Sequence, residues 1–261
     1  MRAQFAVLVL LGALPLGAQD AMITAAADAV PYVPVRPGQS YTAGFLSEQR
    51  LLPYGTLRGA VTPPEITASV AGAIIMVGTT LSIVPPAGAS YTVGDTLMLA
   101  HRSPGPKGWG EIVTPTGLAR VTESQTGHAL ATLLEVYGPV REGQVTLPLE
   151  PVPNPGAVMP VKITGPRATM IAPREPRELL QPADVIFIDA GRAAGMRLGD
   201  FVEVRRKPAK RINAPDQIDE LMATGQVVAV NEKHSSVVLV RVVAPDIAPG
   251  TPVIRVATLP N

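Results

Sequence analysis

The sequence contains no cysteine, only three histidines among its 261 residues, and aromatic side chains at just 4%. The missing cysteines exclude disulfide bonds, cysteine-ligated metal sites and a lipid anchor on an N-terminal cysteine. Hydrophobic residues make up 46% of the chain, and most of them are therefore aliphatic. The fold has to be stabilised by a packed aliphatic core without disulfide cross-links.

The chain also lacks an excess of either charge and lacks the common catalytic motifs. The chain has 22 Lys and Arg residues against 21 Asp and Glu residues. This balance argues against a nucleic-acid partner, because a protein that binds nucleic acid normally has a basic surface. No GxSxG, GxGxxG or P-loop pattern occurs, and no HxH or HExxH pair. We therefore predict no catalytic residue, no cofactor, no metal site and no enzymatic activity.

The one long apolar run lies at the N-terminus. Arg2 precedes an apolar stretch at 5–16, and small residues precede Gln19, as in a secretory signal peptide. The run is short for a membrane span, which favours cleavage over a retained anchor. We expect a periplasmic or extracellular, outer-envelope-associated protein with no transmembrane segment after signal cleavage.

The sequence is rich in turn-forming residues, with 28 prolines and 24 glycines, and its apolar segments are short. Residues 185–206 show the pattern most clearly: four apolar residues, a glycine-punctuated turn, and then alternating apolar and charged residues from Phe201. Such a pattern is typical of a buried strand, a turn and a half-buried strand. It predicts an all-β fold.

The same unit occurs twice. Val93-Gly94-Asp95 matches Leu198-Gly199-Asp200 at a spacing of 105 residues, and collinear matches extend from 66–77 with 163–172 to 142–143 with 249–250. This period is too long for a solenoid and predicts two tandem, duplicated small β-barrel or sandwich modules. Each module should contain about six strands, with hairpins turning at 123–128 and 231–235.

These observations divide the chain into five segments. Nine prolines between 148 and 182 indicate an extended connector between the modules. The predicted segments are a signal peptide at 1–18, an irregular N-terminal extension at 19–60, module 1 at 61–150, the Pro-rich connector at 151–182 (where 162–172 could supply the first strand of module 2), and module 2 at 183–261.

The polar residues of the repeated unit are predicted to be structural. Glycine supplies backbone angles that other residues resist, and an Asp side chain accepts hydrogen bonds from turn N–H groups. Asp189 has a proline at its place in the first copy, so an Asp189–Asp200 catalytic pair is disfavoured. His128 and His234 are expected as exposed residues at equivalent hairpin tips. The predicted turn residues are Gly94, Asp95, Gly191, Gly195, Gly199 and Asp200.

Two features are candidate contact sites. The first is a run of five cations in seven residues, which could bind an anionic polymer or simply be a solvated loop. The second is the only tryptophan, Trp109, in a Gly/Pro loop, where it could contact a partner or fold back over the module edge. The five cations are Arg205, Arg206, Lys207, Lys210 and Arg211.

Phe45-Leu46-Ser47, Val93-Gly94-Asp95 and Asp189-Ala190-Gly191 resemble the β-rich region that follows LysM repeats in bacterial envelope proteins. Module 2, through Ile247-Ala248-Pro249-Gly250-Thr251, is similar to the C-terminal domain of the flagellar assembly protein T family. The resemblance implies a non-catalytic envelope or assembly role, although LysM repeats themselves are missing. We expect a secreted cell-envelope scaffold or interaction protein with envelope protein partners. The alternative is a binding module for peptidoglycan or another anionic envelope polymer.

Overall fold

The computed structural model describes residues 35, 37–61, 75–152, 159–206 and 220–260, which form two β-barrels and one short helix. The prediction of an all-β chain with two tandem barrel modules is confirmed. Signal-peptide residues 1–18 lie outside the described residues. All described residues belong to one compact unit.

Barrel 1 follows a short lead-in of helix α1 (Pro37–Thr42) and strand β1 (Phe45–Leu46). Its six antiparallel strands pair in the order β2-β3-β6-β5-β4-β7, and β7 closes the ring onto β2. Strand β1 adds to β5 outside the ring. The six strands are β2 (Gly55–Ala60), β3 (Thr80–Val84), β4 (Thr96–Pro104), β5 (Glu111–Gln125), β6 (His128–Val136) and β7 (Val145–Pro148).

Barrel 2 repeats this topology. Its strands pair in the order β9-β10-β13-β12-β11-β14, β14 closes onto β9, and the short strand β8 (Val161–Lys162) adds to β14 outside the ring. Each of the six ring strands thus has a counterpart in barrel 1, and the predicted hairpins are β5–β6 and β12–β13. The six strands are β9 (Arg167–Pro173), β10 (Val185–Ile188), β11 (Phe201–Arg206), β12 (Glu220–Val230), β13 (Ser235–Val242) and β14 (Pro252–Thr258).

The burial pattern explains why these segments form strands. In β3 and β6, buried and half-buried residues alternate, which is the period of a sheet with one face on a core. All four residues of β10 are buried. Ile186 and Ile188 belong to the barrel 2 core, whereas Val185 and Phe187 pack in a second cluster with residues of barrel 1. The apolar run at 185–188 is therefore buried on both faces.

The module boundaries differ from those expected. The irregular extension at 19–60 is wrong for residues 55–60, because Gly55–Ala60 is the first strand of barrel 1 and the counterpart of Arg167–Pro173. The expected first strand near 66–77 falls largely on residues outside the described ones. Within the expected connector, Arg167–Pro173 is a barrel 2 strand and Leu180 packs in the core of that barrel.

Candidate functional site: the junction between the barrels

The two barrels are joined by a short segment that precedes barrel 1 in the chain. Residues 45–50, which we call the clasp, pair with β5 of barrel 1 and contact the 231–234 turn of barrel 2. Leu46 is fully buried here between the barrels. Its cluster contains Ile112, Val185, Phe187, Trp109, Ile171 and Val238.

The clasp ends in a tight turn at residues 47–50. Arg50 N–H donates to the Ser47 carbonyl at 3.0 Å, and Glu48 and Gln49 have φ values of 54° and 61°. These left-handed angles cost energy for residues other than glycine and persist where surrounding contacts impose them. Glu111 provides such contacts, because its carbonyl accepts from Ser47 N–H and its N–H donates to Ser47 Oγ, both at 2.8 Å. The turn thereby holds the Glu48 side chain against barrel 2.

Glu48 forms three hydrogen bonds with barrel 2. Its Oε1 accepts from the backbone N–H of Lys233 at 2.8 Å, from the backbone N–H of His234 at 3.2 Å, and from His234 Nδ1 at 2.7 Å. The imidazole is fully buried and the Glu48 side chain is 3% exposed. Phe187 and Trp109 contact the ring edge-on, with centroids 6.0 and 6.3 Å away. This carboxylate–imidazole pair is thus a largely buried polar contact between the clasp and barrel 2.

The hydrogen bonds define the protonation state of His234. Leu46 N–H can only donate, and it points at His234 Nε2 at 2.9 Å, so Nε2 is the acceptor. Nδ1 then carries the proton and donates it to Glu48. The ring is therefore neutral in this arrangement, and both of its nitrogen atoms are bonded to the clasp.

Burial affects the two partners differently. Burial lowers the pKa of His234, and it outweighs the hydrogen bond and the charge of Glu48, which raise that pKa. For Glu48, burial raises the pKa, but the hydrogen bonds from Lys233 and His234 and the positive charge of Arg50 at 3.7 Å together lower it. The structure thus favours an ionised Glu48 beside a neutral His234.

A cleft with a cavity volume of about 650 Å³ lies beside the junction, lined by both barrels and by α1. Its lining includes Tyr137 and Arg141 of barrel 1 and Arg174, Val185 and Val238 of barrel 2. Burial, and then the hydrogen bond to Glu135, raises the pKa of the Tyr137 hydroxyl well above its usual range, so the hydroxyl keeps its proton. The cleft combines hydrogen-bond donors with apolar side chains.

The predicted contact residues have specific positions in this arrangement. Trp109 is half-buried and packs against the junction cluster, with its ring edge-on to His234 of barrel 2. Arg205 and Arg206 end β11 and pair with Glu203 and Asp246, each at 2.6 Å. Lys207, Lys210 and Arg211 lie outside the described residues. The structure does not bring the described cations together with Trp109.

The Gly-Asp pairs lie at equivalent turns, as the repeat predicts. Gly94 and Gly199 have φ values of 98° and 85°, and each donates its N–H to the long strand of its own barrel. The Asp95 carboxylate accepts from Thr92 N–H at 2.7 Å, and that of Asp200 accepts from a backbone N–H at the same place. The turn-capping interpretation accounts for these contacts in both barrels.

Barrel 2 extends this turn into a buried network. The Asp200 side chain is fully buried and also accepts from Arg255 at 3.0 Å and from Thr258 Oγ1 at 2.6 Å. Gly195 ends the 3₁₀ turn at Arg192–Ala194 with a φ of 78°. Gly191 approaches the 231–234 backbone so closely that a Cβ atom there would lie 2.5 Å from the Asn231 carbonyl oxygen. The Asp200 and Gly191 contacts are thus part of what holds the barrel 2 turns in place.

The expectation of an exposed His234 is wrong, because the clasp covers it. His128, at the equivalent tip of barrel 1, is half-buried. Sequence reasoning also missed Glu48, which precedes its partner by 186 residues and belongs to no motif. The only available signal was a histidine followed by the small residues Ser235 and Ser236 at the start of an apolar strand, which does not indicate a buried ion-pairing site.

No protein-family model, curated protein or solved structure matches this chain. The resemblance to LysM-associated regions and to the flagellar assembly protein T family stays a prediction. In the part of the chain that the structure describes, no helix is long and apolar enough to cross a membrane. The described His, Asp and Glu side chains form no group of three that could hold a metal ion.

Proposed function

We propose that this chain is a non-catalytic, secreted cell-envelope scaffold or interaction protein of bacterial type, which binds an extended acidic segment of an envelope protein partner. The observation that carries the proposal is the cleft between the barrels, whose walls come from both modules. Its periplasmic or outer-envelope location rests on the signal-peptide pattern at residues 1–18.

The chemistry of the cleft favours a peptide with acidic side chains. Arg141 is exposed and forms no ion pair with any described residue, whereas Arg174 pairs with Glu175 at 3.1 Å. The walls therefore hold one positive charge in excess, at Arg141, which suits a carboxylate.

The size and the apolar part of the cleft suit the same ligand. Ligand sites commonly measure about 300–1,000 Å³ and combine apolar walls with a few polar groups. Val185 and Val238 supply the apolar wall, and the Tyr137 hydroxyl, which donates its proton to Glu135, offers its oxygen as an acceptor. An extended peptide presents the matching surface, because its backbone offers N–H donors while its side chains offer apolar and acidic groups.

Site-specific photo-crosslinking in intact cells tests the proposal. A photoreactive amino acid replacing Tyr137 should crosslink to an envelope protein, and mass spectrometry should map the adduct to an acidic segment. Arg141→Glu should abolish the adduct by reversing the charge at the cleft. Arg120→Glu makes the same charge change at an exposed site that does not line the cleft and should leave the adduct intact. An adduct that maps to a basic segment, or that survives Arg141→Glu, contradicts the proposal.

Polymer binding is the alternative, and it rests on the cation run at 205–211. The ion pairs of Arg205 and Arg206 partly neutralise the two described cations of this run and disfavour that alternative. A pull-down on purified sacculi distinguishes the two functions. Retention that is lost when Arg205, Arg206 and Lys207 are replaced with alanine would favour polymer binding over the peptide ligand.

A further inference from the structure

The junction contains a titratable group on which the contact between the barrels depends. His234 is fully buried, and its two ring nitrogens bond to two residues of the clasp, Leu46 and Glu48. No other histidine in the described residues is buried. The two hydrogen bonds between the ring and the clasp therefore require one particular protonation state of the imidazole.

Protonation of this ring places two donors against each other. An imidazolium carries N–H groups on both nitrogens, so Nε2–H would face Leu46 N–H, which lies 2.9 Å from Nε2 in the neutral state. The Asn231 side-chain amide, 3.0 Å from Nε2, can rotate to present its oxygen. Leu46 N–H is fixed by the backbone of β1 and would remain buried without an acceptor, a costly arrangement.

The charges around the ring act in opposite directions. From the clasp, ionised Glu48 favours the imidazolium and Arg50 disfavours it. On the hairpin itself, Lys233 and Glu232 are exposed, and Arg192 from the 3₁₀ turn pairs with Glu232 at 3.5 Å. Trp109 and Phe187 present uncharged ring contacts on the remaining sides. Among the residues that the structure describes, Glu48 is thus the one close carboxylate that could retain a protonated ring.

We propose that protonation of His234 releases the Leu46 end of the clasp from the 231–234 turn, so that mild acidification loosens the attachment between the two barrels. The Glu48–imidazolium attraction holds one end of the clasp, but the Leu46 end separates because its donor has lost its acceptor. The cleft is lined by both barrels, so its width changes with the state of the clasp. This inference does not depend on which ligand the cleft binds.

The experiment measures the distance between the barrels in the full-length chain. Because the chain has no cysteine, spin labels can be placed on single cysteines at exposed Glu123 of barrel 1 and exposed Arg241 of barrel 2. Double electron–electron resonance at pH 7.5 should give one narrow distance distribution. Between pH 6.5 and 5 the distance distribution should broaden. The fluorescence emission of Trp109, the only tryptophan, should change over the same pH range.

Three variants identify the titrating group. His234→Gln keeps an acceptor near Leu46 N–H and does not titrate, so the distribution should stay narrow down to pH 5. Glu48→Gln keeps the acceptor oxygen but loses the charge that favours the imidazolium, so the transition should move to lower pH. His128→Gln removes the equivalent histidine of barrel 1 and should leave the transition unchanged.

Several results would overturn the inference. One is a distance distribution in the unmodified chain that stays narrow down to pH 5, and another is an unchanged transition in His234→Gln. If His234→Gln fails to fold, Glu48→Gln decides the question, because a transition that stays in place or moves to higher pH rules out His234 as its source.

Discussion

At the scale of single residues, the two barrels show that position in a repeat does not determine environment. His128 and His234 occupy equivalent hairpin tips, yet only His234 lies under the clasp. Asp95 and Asp200 likewise accept the same backbone hydrogen bond, but Asp95 is exposed and Asp200 is fully buried. Equivalent turns of the two barrels therefore differ in the residues that cover them.

Removing the two aspartates should therefore have unequal effects on stability. Asp200→Ala leaves Arg255, which is 15% exposed, without its carboxylate, and should lower the free energy of unfolding by about 3 kcal/mol. Asp95→Ala loses one exposed hydrogen bond and should cost about 1 kcal/mol. Urea denaturation of both variants checks the difference, and equal losses would contradict the buried network.

Gly191 should not tolerate a side chain. Alanine would place Cβ 2.5–2.6 Å from backbone atoms of Asn231, Glu232 and His234, which cannot move independently of the turn. We expect Gly191→Ala to lower the free energy of unfolding by about 1–3 kcal/mol. Gly38→Ala, in α1 with open space around it, is the control and should be neutral or stabilising. Thermal unfolding of both proteins measures the contrast.

At the scale of elements, two residues of β1 connect two barrels. Strand β1 extends the barrel 1 sheet, while the side chain of Leu46 fills the space beside Val185 and Phe187 of β10. Because β10 also contributes to the barrel 2 core, the packing of the clasp and the packing of that barrel share one strand. The clasp and β10 therefore act as a single structural unit.

Truncating Leu46 should weaken this unit. Leu46 is fully buried, and Leu46→Ala should lower the free energy of unfolding by about 2–5 kcal/mol while exposing Trp109 and shifting its emission to longer wavelength. Leu51 lies five residues later and its side chain is fully exposed, so Leu51→Ala should change the free energy of unfolding by less than about 0.5 kcal/mol. Unfolding followed by Trp109 fluorescence compares the two, and similar losses would contradict a packing role specific to Leu46.

The sequence predicted elements well where burial on one face produced alternation and where turns carried glycine. The β12–β13 hairpin and both Gly-Asp turns are examples. It placed the first strand of barrel 1 wrongly, because Gly55–Ala60 contains only one large apolar residue, Leu57, and the more apolar stretch near residue 75 matched the repeat better. The register of a strand and the closure of a barrel depend on the neighbouring strands, and a local sequence pattern carries no information about these.

At the scale of the whole molecule, the junction was the part that sequence could not predict. The sequence showed residues 185–188 as an apolar run and so predicted that they are buried. It did not reveal that Val185 and Phe187 pack against residues of the other barrel. Of the contact residues predicted from the sequence, Trp109 lies at the junction, whereas Arg205 and Arg206 end β11.

Overall stability should depend on pH through the buried pair. The unfolded chain protonates His234 near the ordinary pKa of about 6.5, and the folded chain does so only at lower pH because burial lowers that pKa. The unfolded state then binds more protons in that interval, so the free energy of unfolding decreases as the pH falls from about 6.5 through the lowered pKa. Glu48, whose pKa is also lowered, contributes stability above its ordinary pKa that is lost at still lower pH.

Urea denaturation at pH 7.5 and pH 5.5 measures this dependence. The decrease between the two values should be smaller in His234→Gln, which has no imidazole to protonate, than in the unmodified chain. His128→Gln is the control and should keep the full decrease. An equal decrease in all three proteins would assign the pH dependence to groups other than His234.

The clasp has a consequence for the order in which the chain is assembled. Leu46 and His234 are 188 residues apart, so at about 5–20 residues per second the ribosome makes Leu46 roughly 10–40 s before His234. During that interval β1 can pair with β5, but the 231–234 turn that the clasp contacts has not yet been synthesised. We therefore expect the joining of the barrels to be the final step of folding, and a chain interrupted before residue 234 to carry a finished first barrel with its attachment surface uncovered.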